Sequence, residues 1–254
     1  DPNTPKPVRR IARIARFGAR IPTTPRYADA FQAIGPAAIK LGQTLATRPD
    51  LVGEEAAHDL LRLQDALPPL SFAVIRERIE SSYGRPLETF FASIDETPVG
   101  AASIAQVHRA VTTQGAQVAV KVLRPGVEAE FARAIETYEW AAAQVEGMGG
   151  EAARLRPRLI IETFKRWTAR ELDLRREAAS ASELAEGMTA EPDFYVPAID
   201  WQRTTGKVLV LEWLDGIKLS DRAALVAAGH DTTALAGKLI RAFLPMLRAC
   251  GEGT

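Results

Sequence analysis

The chain has 254 residues, enough for a substantial core in one large domain or two small ones. Lys plus Arg and Asp plus Glu both number 32, so bulk charge offers no attraction to nucleic acid, and none is expected as a partner. The single cysteine, Cys250, excludes an internal disulfide framework; with three histidines the Cys/His content cannot build a usual zinc site, and no run of about 18 uncharged apolar residues marks a transmembrane helix.

Residues 1–7 carry three prolines and read as loose. Residues 8–21 fit a helix with Arg9, Arg13, Arg16 and Arg20 on one face and Val8, Ile11, Ile14 and Ile21 over the other side. Such a helix can lie on an anionic membrane surface or pack on the rest of the protein with its arginines in water. A second helix is expected over 26–48, bent near Gly35-Pro36, and two more over 53–66 and 71–83, divided by Pro68-Pro69. The chain up to about residue 92 therefore reads as all-helical.

The period then changes from helical to two. Ser103–Val111 and Gln117–Leu123 alternate, with Gly115 in the short turn between them, which predicts an antiparallel hairpin. Helices are expected at about 127–146 and 157–186, strands at Phe194–Trp201 and Lys207–Trp213, and helices again at 219–229 and 231–250. The sequence opens on Asp1-Pro2-Asn3 and closes on Gly251-Glu252-Gly253-Thr254, and both ends read as cuts in a longer protein.

Four places in this pattern could carry chemistry. Gly100-Ala101-Ala102-Ser103 lies at the mouth of the first hairpin strand, where small residues let backbone N–H groups approach a bulky anion; it could equally be a plain turn. Lys121 interrupts the apolar strand Val118–Leu123. It is either an edge-strand lysine pointing to water or a partly buried ammonium that needs a carboxylate partner. Acids for that role lie in Glu171-Leu172-Asp173-Leu174-Arg175-Arg176-Glu177, which could also be a solvated, charge-laced surface. On one continuous helix Asp173 and Glu177 share a face, and Glu171 lies about 200° from Asp173. Finally, Lys40-Leu41-Gly42-Gln43 places a glycine inside an apolar helix at a cost of about 1 kcal/mol relative to alanine, for close packing or for a polar contact.

Taken in order, Lys40-Leu41-Gly42-Gln43, Gly100-Ala101-Ala102-Ser103-Ile104-Ala105-Gln106-Val107-His108, Val118-Ala119-Val120-Lys121-Val122, Glu171-Leu172-Asp173 with Glu177, and the strand ending in Glu212-Trp213-Leu214 resemble the UbiB family of atypical protein-kinase-like proteins, from about residue 27 to the end. The resemblance implies an α+β fold: a protein-kinase-like N-lobe (antiparallel sheet plus long helix) with an N-terminal helical extension and the start of a helical C-lobe. The implied divisions are 1–92, 93–216 and 217–254. It implies binding of ATP or ADP with Mg2+. Val99, Gly100, Ala101, Ala102, Ser103, Ile104, Ala105, Gln106 and Val107 would cover the phosphates. Lys121 would contact phosphates with Glu177 as its ion-pair partner, and backbone groups at Glu212, Trp213 and Leu214 would meet the adenine edge. Lys40 and Gln43 would fold over the site and meet Glu171 and Asp173.

The family's role implies support of ubiquinone (coenzyme Q) biosynthesis, a quinone precursor lipid as partner, and a cytoplasmic place at the inner face of a membrane. The alternative is a non-catalytic membrane-associated scaffold or pseudokinase. The family's catalytic loop (His-x-Asp, then an Asn) and its metal-binding segment are absent from the sequence. Leu247–Gly253 resembles the stretch that precedes that loop, so no catalytic residue and no metal ligand is assigned, and this piece alone is expected to be inactive.

Overall fold

Alternating burial along two adjacent strands organises the architecture. The computed structural model describes residues 27–63, 67–189 and 191–251. The basic 8–21 segment lies outside them. The predicted hairpin is formed by β3 (Ala105–Thr112) and β4 (Gln117–Leu123), antiparallel, with Val107 opposite Lys121 and Ala105 opposite Leu123. Gly115 makes the turn at φ 87°, a conformation that costs glycine little. β5 (Val208–Glu212) adds antiparallel to the other side of β4, so β4 is an interior strand. β1 (Phe91–Ile94) and β2 (Gly100–Ala101) share the outer edge of β3. These two strands are too short for their alternation to show in the sequence.

The two faces of the sheet bury different helices. Val118, Val120 and Val122 of β4 and Val208 and Val210 of β5 pack with Ile75 and Ile79 of a helix at Phe72–Tyr83. Leu123 and Leu209 point the opposite way, into a core with Val127, Phe131, Ile161, Phe164 and Leu174. Period two therefore places Lys121 on this second face, between Ala119 and Leu123.

Helices are numbered in chain order. α1 (Tyr27–Ile34) and α2 (Pro36–Ala46) realise the helix expected to bend at Gly35-Pro36. Short α3 (Pro49–Val52) and α4 (Glu54–Leu60) follow, and α5 is the helix at Phe72–Tyr83. After a 3₁₀ turn and the hairpin come α6 (Val127–Met148), α7 (Gly150–Arg154), α8 (Pro157–Glu171), α9 (Leu174–Gly187), α10 (Arg222–Ala227) and α11 (Thr232–Gly251). No helix among the described residues is long and apolar enough to cross a membrane.

Two expectations need correction. Residues 157–186 are not one helix. The chain breaks at Leu172–Asp173, where Asp173 takes an extended conformation, its carboxylate accepts from the Arg175 amide (3.2 Å), and Leu174 N–H bonds the Gly206 carbonyl instead of continuing the helix. Phe194–Trp201 is not a strand. It contributes an isolated bridge between Ile199 and Leu211, because Pro192 and Pro197 lack the N–H that a ladder needs.

A buried polar pair anchors the start of the hairpin. His108, fully buried on β3, sits 2.8 Å by Nδ1 from the Asp95 carbonyl, so Nδ1 carries the proton; Nε2 then accepts from Gln106 (3.4 Å). Gln106, also fully buried, accepts the Leu70 amide ahead of α5. Burial lowers the His108 pKa below the ordinary imidazole value. An unfolded chain therefore takes up a proton below pH ~6.5 that the native protein refuses, and stability falls as pH drops. Urea unfolding from pH 7.5 to 5 is expected to show a steeper loss for the native sequence than for His108→Gln. Parallel pH profiles would show that His108 is not the group responsible.

Candidate functional site

Lys121 and Glu177 meet across the second face of the sheet. The Lys121 ammonium lies 2.7 and 2.8 Å from the two carboxylate oxygens of Glu177, in the first turn of α9. A carboxylate at a helix start is further favoured by the helix dipole. Side-chain exposures of 27% and 47% leave the pair partly in water, so its contribution to stability is at most about 1 kcal/mol. Its location explains it better than its energy. Lys121 is on an interior strand, not an edge, and can reach water only because the pair forms the wall of an open cleft.

That cleft has a volume of about 690 Å3 and lies between the hairpin, α2 and the α8–α9 corner. Ala102, Ile104 and Ala105 form its sheet side. Lys40, Lys121, Arg170 and Arg176 bring four cationic side chains against the two carboxylates Glu171 and Glu177. Lys40 ion-pairs with Glu171 at 3.4 Å and lies 5.8 Å over the Trp167 ring. The break at Leu172–Asp173 lets Glu171, the last residue of α8, and Glu177, on α9, both face the cleft. On a regular helix residues six apart would sit on different faces.

Other predicted positions are placed differently. Gln43 donates to the Leu63 carbonyl (3.4 Å) and does not line the cleft. Asp173 turns to Arg175, with contacts of 2.9 and 2.8 Å, and that guanidinium holds its carboxyl below the usual range. Val99, Gly100, Ala101 and Val107 belong to the β2–β3 edge, and Ser103 and Gln106 are fully buried. Glu212 accepts from the Tyr195 hydroxyl and the Ala198 amide (3.2 Å). The Trp213 indole lies 4.9 Å from the Arg109 guanidinium and donates to Asp215 (2.9 Å), while Leu214 is exposed. None of these three side chains lines the cleft.

Sequence reasoning missed Arg124, and it read Arg170 and Arg176 as part of a charge-laced stretch without assigning them to the cleft that they line. Arg124 is buried. It donates to the Ala102 carbonyl (2.9 Å) and the Pro68 carbonyl (2.9 Å), while its own amide bonds the Ile104 carbonyl (2.8 Å). It therefore ties the small-residue loop to the segment before α5, and burial lowers its pKa. An arginine directly after an apolar strand and before Pro125 was the available signal. Among the described residues no cluster of three or more His, Cys, Asp or Glu side chains could hold a metal, and both cleft carboxylates are engaged by lysines. The described residues thus do not make a magnesium site.

An antiparallel sheet, a strand lysine paired to a helix glutamate and a helical extension laid on the cleft define a protein-kinase-like lobe with an added N-terminal element. Residues 62–251 match the model of the ABC1 atypical kinase-like domain, and the chain belongs to that family. It is 41% identical over 214 residues to a protein of Xylella fastidiosa (strain M12) named "Probable protein kinase UbiB", covering 84% of this chain and 39% of the relative. A Marinobacter nauticus protein of the same name is 39% identical over the same shares. The chain thus spans about two fifths of the length of these relatives. Among solved structures, a Mycobacterium tuberculosis protein determined in complex with erythromycin matches with a TM-score of 0.50 and 27% identity, over 74% of this chain and 46% of that one.

Gly42 has a packing reason. A Cβ there would meet the Leu63 side chain and lie 2.7 Å from the Phe31 ring. Gly42→Ala gains about 1 kcal/mol of helix propensity and incurs about 1–3 kcal/mol of overpacking. A net loss of stability on the order of 1 kcal/mol is expected in chemical denaturation; a gain would show that Leu63 and Phe31 yield freely.

Proposed function

We propose that the cleft binds the phosphates of ATP or ADP, and that the chain is the nucleotide-binding portion of a larger UbiB-type kinase-like protein. The observation that carries this reading is the bidentate Lys121–Glu177 pair on the wall of a cleft rich in cations. A lysine so held presents its charge in one place, and the surrounding Lys40, Arg170 and Arg176 complement a polyphosphate. In this reading the Val99–Val107 segment covers the phosphates and backbone groups at Glu212–Leu214 meet the adenine. Lys40 on the extension and Glu171 shape the entrance, while Gly42, Gln43 and Asp173 support the elements that carry them. Magnesium accompanies the nucleotide, with no protein ligand assigned here.

For the larger protein the proposed activity is ATP hydrolysis or phosphoryl transfer in support of ubiquinone biosynthesis, with a quinone precursor lipid as partner at the inner face of a membrane. Supporting this are the family membership and the name of the relatives. The sequence contains no His-x-Asp, so no general base is assigned to this chain.

Titration with a fluorescent ATP analogue tests the cleft. Lys121→Ala removes a charge-assisted contact worth roughly 1.5–3 kcal/mol, so affinity should fall at least about tenfold. Unchanged affinity in a folded variant would remove Lys121 from the site. The membrane part has its own test. Deleting residues 1–25 should abolish co-sedimentation with anionic liposomes, and retained binding would reject the 8–21 segment as the anchor.

A further inference from the structure

We infer that a second cavity, bordered like the nucleotide cleft by α2 and α8, binds an amphiphile with a single carboxylate head and an apolar tail. The cavity measures about 790 Å3 and lies between α2–α3 and the α7–α8 corner. That volume is in the range of sites that bury small organic ligands, roughly 300–1,000 Å3. Leu51, Leu155, Leu159 and Trp167 contribute apolar wall. Leu155 (43%), Leu159 (47%) and Trp167 (40%) are exposed, so this apolar wall is left uncovered by the described residues.

The polar side of the cavity is cationic. Arg48, Arg154 and Arg156 line it against one carboxylate, Asp50, and that carboxylate already takes two bonds from Arg48 (2.9 and 2.7 Å). Arg154 and Arg156 have no ion-pair partner among the described residues. Arg156 is also the one described non-glycine residue with positive φ (51°), a conformation that a bulky residue adopts at a cost. Two unpaired guanidiniums beside an apolar wall select the ligand class. Their planar forks match a carboxylate. A cation would be repelled, a neutral lipid would leave the arginines unused, and a polyphosphate would leave the apolar wall unused. The assignment stands on this cavity alone and is independent of the nucleotide reading.

Trp167 supplies the readout, since it lines this cavity and is one of four tryptophans. Sodium dodecanoate, kept below its micelle concentration, is titrated into nucleotide-free protein by calorimetry and tryptophan fluorescence. Expected are saturable binding of one molecule, an emission change that Trp167→Phe abolishes, and an affinity loss of about tenfold or more in the double variant Arg154→Gln/Arg156→Gly. Glycine retains the positive φ, and circular dichroism checks the fold. Should that variant not fold, Thr163→Glu, an exposed change that sets a carboxylate in the cavity, must weaken binding instead. The inference is overturned by any of four results. Dodecanoate does not bind; dodecyltrimethylammonium binds equally well; the variants bind as the native chain does; or only phosphatidylglycerol vesicles, and not the monomeric amphiphile, elicit the response. Absence of dodecanoate binding together with a dimer in light scattering would assign the apolar wall to a second copy of the chain.

Discussion

A lysine in the middle of an apolar interior strand requires a counter-charge, and much of the lobe is arranged around supplying one. β4 has a neighbour on each side, so the Lys121 ammonium can leave the sheet only through one of its faces. One face is sealed by α5, where Val120 and Val122 meet Ile75 and Ile79. The other face holds a dry core at Leu123 and Leu209 and opens beside Lys121. Glu177 must therefore arrive from above that face, on the first turn of a helix aimed at the sheet.

The interruption at Leu172–Asp173 makes this delivery possible. Asp173 leaves the helical path and caps the next helix, and Leu174 is fixed to the Gly206 carbonyl ahead of β5. A continuous helix would carry Glu171 and Glu177 away from one another. The break converts one helix into two that bring an acid each to the cleft, where Lys40 and Lys121 answer them at 3.4 and 2.7 Å. Lys40 in turn rides on α2, whose close approach to Leu63 and Phe31 depends on Gly42 having no side chain. The extension meets the lobe through the Lys40–Glu171 pair and through Ala37 and Leu41, which share a core with Phe131, Ile161 and Phe164; Gly42 keeps α2 seated within the extension.

The loop over the cleft is supported from behind. Gln106 and His108 are spent on Leu70 and Asp95, and Arg124 holds the carbonyls of Ala102 and Pro68. Unpaired buried polar groups are costly, so these bonds leave the loop few alternative conformations. The residues that the family resemblance assigns to the phosphates thus divide into a few that face the cleft and several that brace those few. The same α2 and α8 that border the cleft also border the arginine-lined cavity. Trp167 belongs to that cavity and lies beneath Lys40.

Local pattern alone determined the hairpin, the exceptional lysine within it, the helical character of the first described segment and the order of the motifs. Period-two alternation, proline positions and residue chemistry are properties of neighbours in the chain. What the tertiary structure decided were matters of distance between remote residues. The break at Asp173 depends on a carbonyl at Gly206. The choice of Glu177 for Lys121 and Glu171 for Lys40 depends on that break. Gln43 turns toward Leu63 because α4 ends beside α2, and the failed strand at 194–201 reflects prolines against a single bridge to β5. A sequence records which side chains need partners. Only the packed chain brings one particular partner within reach, because a hydrogen bond or ion pair is decided within about 3 Å while chain neighbours constrain direction over only a few residues.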